Sequence, residues 1–192
     1  MSKNHNNEFD PDALSVRVSE LLVATADGSD DLIDSSVTET LKLLRQRLAM
    51  DVVFVSEFVD GQRVFRYVDA PGNKPAIPLG HSDPLEHTWC QRVVDGRLPQ
   101  FIVDSRKLTD RGSLPAVPFP VGTYLSTPIF LTDGRVYGTL CCFSFSPNEQ
   151  IHERDLKNLQ MVAMLVAKKI GSIRTPRFAQ TEPAALTLQP KW

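Results

Sequence analysis

The groups in this chain with chemistry to offer are three thiols and a set of charged and aromatic side chains near them in sequence. His87 and Cys90 stand three residues apart, so on a helix both would face one side and could share a metal ion. A structural zinc site takes four ligands, and the other thiols, Cys141 and Cys142, are expected on a distant strand. No metal site is therefore predicted. Cys90 reads as a small buried hydrophobe and His87 as a surface residue. Cys141 and Cys142 are adjacent, so on a strand they point to opposite faces, and free Cys packs there as a small apolar side chain. The chain has no G-x-S-x-G, no G-x-x-x-x-G-K and no H-E-x-x-H, since His152-Glu153 lacks a second His four residues on. No catalytic residue is assigned. A thiol-dependent reductase using Cys90 or Cys141 is the enzymatic alternative.

Binding has more to work with. Arg92, Arg97, Arg106 and Arg111 cluster in sequence with Asp95 and Asp104 between them. A guanidinium is a planar fork suited to carboxylate or phosphate, although such residues also form solvated salt bridges. Trp89, Phe101, Phe119, Tyr124 and Phe143 have the size and shape to line a cavity. The candidate ligand-binding set is Trp89, Arg92, Phe101, Asp104, Arg106, Phe119, Tyr124, Ser126 and Cys142, with Tyr124 and Ser126 as polar groups beside a long loop.

The elements that must position these residues can be read from periodicity. Asp10-Pro11 starts a helix expected at 11–26, with Leu14, Val18, Leu21 and Thr25 on one stripe and Gly28 beyond it. A second helix, 31–49, carries Ile33, Val37, Leu41, Leu44 and Leu48. The period then changes to two. Strands at 52–58 and 63–69 flank Asp60-Gly61, a hairpin turn because both residues tolerate positive φ. Residues 70–83 are loop, 84–95 a short helix, 99–104 a strand and 105–121 a Pro-rich irregular stretch. Strands at 122–131 and 135–146 flank Asp133-Gly134, and a helix follows at 152–172. The strand at 135–146 is apolar on both faces, with Val136, Leu140 and Cys142 on one and Tyr137, Cys141, Phe143 and Phe145 on the other. It is therefore central and covered on both sides.

The expected fold class is α+β: a single antiparallel sheet with the terminal helices on one face and a short helix plus long loops over the other. A face roofed by loops is where a pocket belongs. The domain is expected to span 11–172, between a polar tail at 1–10 and a Pro-containing tail at 173–192. The last helix has a second stripe, Met161, Met164 and Leu165, that either packs on the first two helices or forms a homodimer seam.

Composition excludes several classes. With 21 Lys plus Arg against 23 Asp plus Glu the chain is close to neutral, which offers no basic surface for nucleic acid. It has neither a signal-peptide h-region nor a stretch near membrane-span length. Three cysteines, two of them adjacent, do not make a secreted disulfide framework, so a reducing, cytoplasmic setting is expected.

Four passages, DVVFVSEFVDGQRVFRYV, HTWCQRVVDGRLPQFIVDSR, GTYLSTPIFLTDGRVYGTLCCFSFSP and IHERDLKNLQMVAMLVAKKI, together resemble a GAF domain over about 14–172. The CQRVVDGRLP passage is similar to GAF domains attached to cyclic-diguanylate turnover domains or histidine kinases. The resemblance implies a non-enzymatic sensory or regulatory module of bacterial signalling that binds a small molecule, with the cofactor unknown; besides the reductase, the alternative is a dimerisation or protein-interaction module with a filled pocket. Three of the family's known chemistries are not matched. The bilin Cys-His pair is missing at all three cysteines, the cyclic-GMP pattern after Asn73-Lys74 is incomplete, and no Cys lies between 91 and 140, where the methionine sulfoxide reductases of the family carry theirs.

Overall fold

The computed structural model describes residues 11–23, 30–72 and 77–179. A six-stranded, wholly antiparallel sheet runs in the order β3-β2-β1-β6-β5-β4. Its strands are β1 (Val52–Val59), β2 (Gln62–Asp69), β3 (Ser82–Pro84), β4 (Phe101–Ile102), β5 (Tyr124–Phe130) and β6 (Val136–Phe143). Helices α1 (Pro11–Val23), α2 (Asp30–Arg47) and α4 (Glu153–Ala179) pack on one face, while α3 (Trp89–Val94) and the segments around it cover the other.

Each helix buries the stripe its period dictates. In α2, Val37, Leu41 and Leu44, with Leu48 just past its end, are fully or almost fully buried, and the Ile33 side chain lies outside what is described. In α1 the inward stripe is Leu14, Val18 and Leu22; Leu21, expected there, is half-buried, and Thr25 lies outside the described residues. α4 buries Leu159, Val162, Ala163, Val166 and Ile170, and the Nζ of Lys169 donates to the Leu22 carbonyl at 2.9 Å, satisfying an end-of-helix acceptor of α1. Met161 and Leu165 are half-buried against this core, leaving Met164 exposed on the outer face.

The sheet alternates as a two-sided sheet must. Val53, Val55, Leu125, Leu140 and Cys142 face the helices, whereas Val52, Phe54, Tyr124, Cys141 and Phe143 face α3. Tyr137 packs with the helix-side cluster rather than with Cys141 as its parity suggested, next to the register shift that separates Ile129 from Phe130 on β5. Both residues of the Asp60-Gly61 turn have positive φ, 51° and 71°, as the hairpin requires. At the centre, Gly138 on β6 lies so close to β1 that a Cβ there would stand 1.9 Å from the Ser56 carbonyl oxygen.

The structure corrects several expected boundaries. The loop expected at 70–83 ends in β3, an edge strand that pairs with β2 through Gln62, Arg63 and Val64. The short helix is two pieces, a 3-10 turn at Leu85–His87 and then α3, because the Thr88 side chain caps the second by accepting from the Gln91 N–H at 3.2 Å. β4 is only two residues, since Asp104 folds back to accept from the Arg106 N–H. The last helix, expected to end at 172, runs on to Ala179 through Pro176. The tail expected at 1–10 and the remainder of the C-terminal one, 180–192, lie outside the described residues.

Candidate functional site

The face of the sheet away from the terminal helices holds a cavity of about 330 Å³. Its floor is aromatic because β1, β2, β5 and β6 each project a ring upward: Phe54, Phe65, Tyr124 and Phe143. Phe54 meets Phe65 edge-on at 5.0 Å between centroids, and Phe119 stacks parallel on Phe143 at 4.9 Å. Trp89, the first residue of α3, meets Tyr124 edge-on at 5.3 Å. The roof consists of Ile77, Pro78 and residues 116–119 with Val121. It is tied to α3 by the Trp89 indole N–H, which donates to the Pro115 carbonyl at 2.9 Å. A smaller space of about 230 Å³ adjoins it beneath the same roof, shares Trp89, Phe119 and Val121, and is lined also by Arg111.

One wall is polar. Arg63 on β2 and Asp83 on β3 are ion-paired across the edge of the sheet, with His81 Nε2 3.3 Å from the same carboxylate. The Arg63 guanidinium also lies over the Phe65 ring, 4.3 Å from its centroid, a cation–π contact. Its Nη1 donates toward the Cys90 sulfur at 3.6 Å. Its Nε–H is buried and has no partner among the described residues.

Behind that wall lies a cluster of thiols and hydroxyls. The sulfurs of Cys90 and Cys141 are 3.6 Å apart, Ser126 Oγ is 3.0 Å from Cys141, and the Tyr124 hydroxyl is within 3.8 Å of both. Burial alone would raise the Cys90 pKa, but the Cys141 hydrogen bond and the Arg63 charge outweigh it and bring it below the ordinary thiol value, to about 5. Cys141 moves the other way, raised by burial and by the negative charge on its neighbour. The Tyr124 hydroxyl is raised by burial and the same two sulfurs.

Of the nine expected ligand-binding residues, Trp89, Phe119 and Tyr124 line the cavity. Ser126 points to the same face but is fully buried beneath it, bonded to Cys141. The other five are elsewhere. Cys142 lies in the helix-side core, because strand alternation sends it opposite Cys141, and burial raises its thiol. Phe101 on β4 packs against that same helix-side cluster. Asp104 and Arg106 form a bidentate pair with each other at 2.8 Å, outside the cavity, and Asp95 pairs with Arg97, whose Nε donates to its Oδ2 at 2.9 Å. Arg92 is half-buried on α3, also outside it. Two of the four clustered arginines, Arg97 and Arg106, therefore resolve into local salt bridges. Cys141, expected far from Cys90, is in contact with it.

Arg63, the arginine of the cavity wall, is absent from the expected set because a lone Arg in a hairpin strand carries no sequence signal. Its partner Asp83 sits in a segment read as loop. The available signal was parity: Arg63 shares a face with Phe65, whose period-two partners on β1 are buried.

A GAF domain family model matches residues 33–170. The chain is 30% identical over 163 residues to the diguanylate cyclase DgcP of Escherichia coli strain K12, an alignment that takes in 83% of this chain but only 45% of that one. It therefore spans less than half the length of that relative. Among solved structures, the GAF domain of an Acinetobacter phosphoenolpyruvate-protein phosphotransferase superposes with a TM-score of 0.66 at 14% identity, covering 88% of this chain and 95% of that one. The free methionine-R-sulfoxide reductase of Neisseria meningitidis, solved with its substrate, superposes at 0.65 with 20% identity, covering 92% and 99%. The phycoerythrobilin-bound GAF domain of a cyanobacterial phytochrome superposes at 0.64 with 16% identity, covering 88% and 98%. At these identities the solved structures share the fold.

Proposed function

The chain belongs to the GAF domain family, and from that premise we propose that it is a non-enzymatic regulatory module which binds a small molecule in the cavity beneath residues 116–121. One observation carries this reading: a space of about 330 Å³ walled by aromatic rings, with the Asp83-paired Arg63 in its wall presenting a buried Nε–H that is unpartnered among the described residues. Binding pockets are mostly apolar with a few placed polar groups, and an unmet buried donor is worth on the order of 1–3 kcal/mol to whatever satisfies it. The ligand class that fits is a flat, conjugated or aromatic body bearing one hydrogen-bond acceptor for Arg63.

The route for a signal is the packing. A ligand under the roof moves Trp89 and the Pro115 segment, α3 lies on β5 and β6, and the opposite face of those strands carries α4. The relative named as a diguanylate cyclase supports a setting in signal transduction. The three unpaired thiols fit a reducing cytoplasm. A homodimer through the terminal helices rests on the exposed Val16 of α1 and Met164 of α4.

The test is to purify the full chain without added ligand, denature it, and identify released compounds by mass spectrometry. A stoichiometric compound with a conjugated ring, missing from a Val121→Trp variant that fills the cavity, is the expected result. An empty wild-type protein that no aromatic acid stabilises against heat would refute the reading. The reductase alternative, favoured by Cys90 lying behind the cavity wall, requires turnover of a sulfoxide that Cys90→Ser abolishes.

A further inference from the structure

We infer that Cys90 and Cys141 form a hydroperoxide-reactive thiol pair that closes to an intramolecular disulfide between α3 and the central strand β6. The inference is geometric. The two sulfurs are 3.6 Å apart and a disulfide needs about 2.0 Å, so closing it requires them to approach by about 1.6 Å through side-chain rotation and movement of α3.

The surroundings of the pair are unlike those of a thiol that only fills space. Cys142, on the same strand, is packed among the apolar side chains of the helix-side core. Cys141 instead contacts Ser126 Oγ at 3.0 Å and Thr139 Oγ1 at 3.2 Å, and Cys90 lies 3.6 Å from the Arg63 Nη1. A guanidinium beside a sulfur favours the thiolate, the form that attacks an oxidant. Arg63 also lines the cavity, whereas Cys90 is 1% exposed and lies behind it, so a small oxidant reaches the sulfur when the Arg63 side chain or α3 moves aside.

The chemistry balances with a hydroperoxide as oxidant. The Cys90 thiolate attacks the terminal peroxide oxygen; an S–O bond forms, the O–O bond breaks, and the departing alkoxide or hydroxide takes up a proton. The resulting sulfenic acid is attacked by the Cys141 sulfur; the S–S bond forms, the S–O bond breaks, and hydroxide leaves as water with the Cys141 proton. Two thiols lose two electrons in all, and the peroxide is reduced to an alcohol or water and a second water. The bond would fasten the helix beside the roof to the floor of the cavity.

The experiment treats the full chain with hydrogen peroxide and maps disulfides by non-reducing peptide mass spectrometry. The expected product is a Cys90–Cys141 cross-linked peptide with Cys142 left free, reversed by dithiothreitol. Cys142→Ala should behave as wild type, and Cys141→Ser should leave Cys90 as a sulfenic acid trapped by dimedone. Arg63→Gln should slow the reaction by roughly tenfold. Should a serine variant not fold, the wild-type peptide map decides by itself. Three free thiols after prolonged exposure to peroxide, or a bond through Cys142 or between chains, would overturn the inference.

Discussion

The indole Nε1–H of Trp89 donates to the carbonyl oxygen of Pro115 at 2.9 Å, across 26 residues of sequence. This bond makes α3 and the irregular roof one body, since the same ring also packs edge-on against Tyr124 on the floor. Trp89→Phe keeps the ring contact and removes the donor. It should cost about 1 kcal/mol of stability and speed proteolysis within 105–121, measured by urea unfolding and limited digestion. Unchanged digestion would mean that the roof is held by its other contacts.

Gly138 sets how closely β1 and β6 approach. A Cβ there would meet the Ser56 backbone oxygen at 1.9 Å, and neither backbone can yield at the centre of the sheet. Gly138→Ala should destabilise by about 3 kcal/mol or more, the upper end for overpacking, whereas Gly112→Ala, with open space around it, should be nearly neutral. Equal effects in denaturant titrations would contradict the packing described.

Cys90 gives a pH dependence of known sign. Its folded pKa, about 5, lies below the ordinary thiol value of 9.0, so in that window the unfolded chain binds more protons and stability rises with pH. The contribution is complete above the unfolded value and is lost as pH falls through the folded one. The stability difference between wild type and Cys90→Ala should therefore grow from pH 5 to pH 9. A difference that stays flat would mean that the thiol is neutral throughout.

The outer face of α4 separates core from seam. Leu159 is fully buried and Met164 exposed, so Leu159→Asp should unfold the domain while Met164→Asp leaves circular dichroism unchanged. Sedimentation of the second variant reads the dimer directly: a wild-type dimer that becomes a folded monomer supports the seam, and a monomeric wild type removes it.

Most of the architecture was legible because it follows from local chemistry. The two Asp-Gly turns, the switch from helical to two-residue period at Val52, and the doubly apolar β6 place the sheet and assign its faces. What was not legible was long-range juxtaposition. The Cys90–Cys141 contact depends on how α3 lies across β6, which no spacing within either element encodes. Arg63 and Asp83 meet only because β3 forms, and a three-residue edge strand after prolines leaves no periodic trace. Arg106 and Asp104 misled for the opposite reason, since two residues apart they satisfy each other locally. The end of α4 falls later than expected because the segment from 173, taken for a Pro-containing tail, continues the helix to Ala179.

The most direct test of the cavity reading uses 2-naphthoate, an aromatic carboxylate with the shape and acceptor the walls call for, titrated into the full chain by isothermal calorimetry. Saturable binding with one site per chain is expected, weakened at least about tenfold by Arg63→Gln and abolished by Val121→Trp in a protein that remains folded. Heat that does not saturate, or binding that persists when the cavity is filled, would contradict the account.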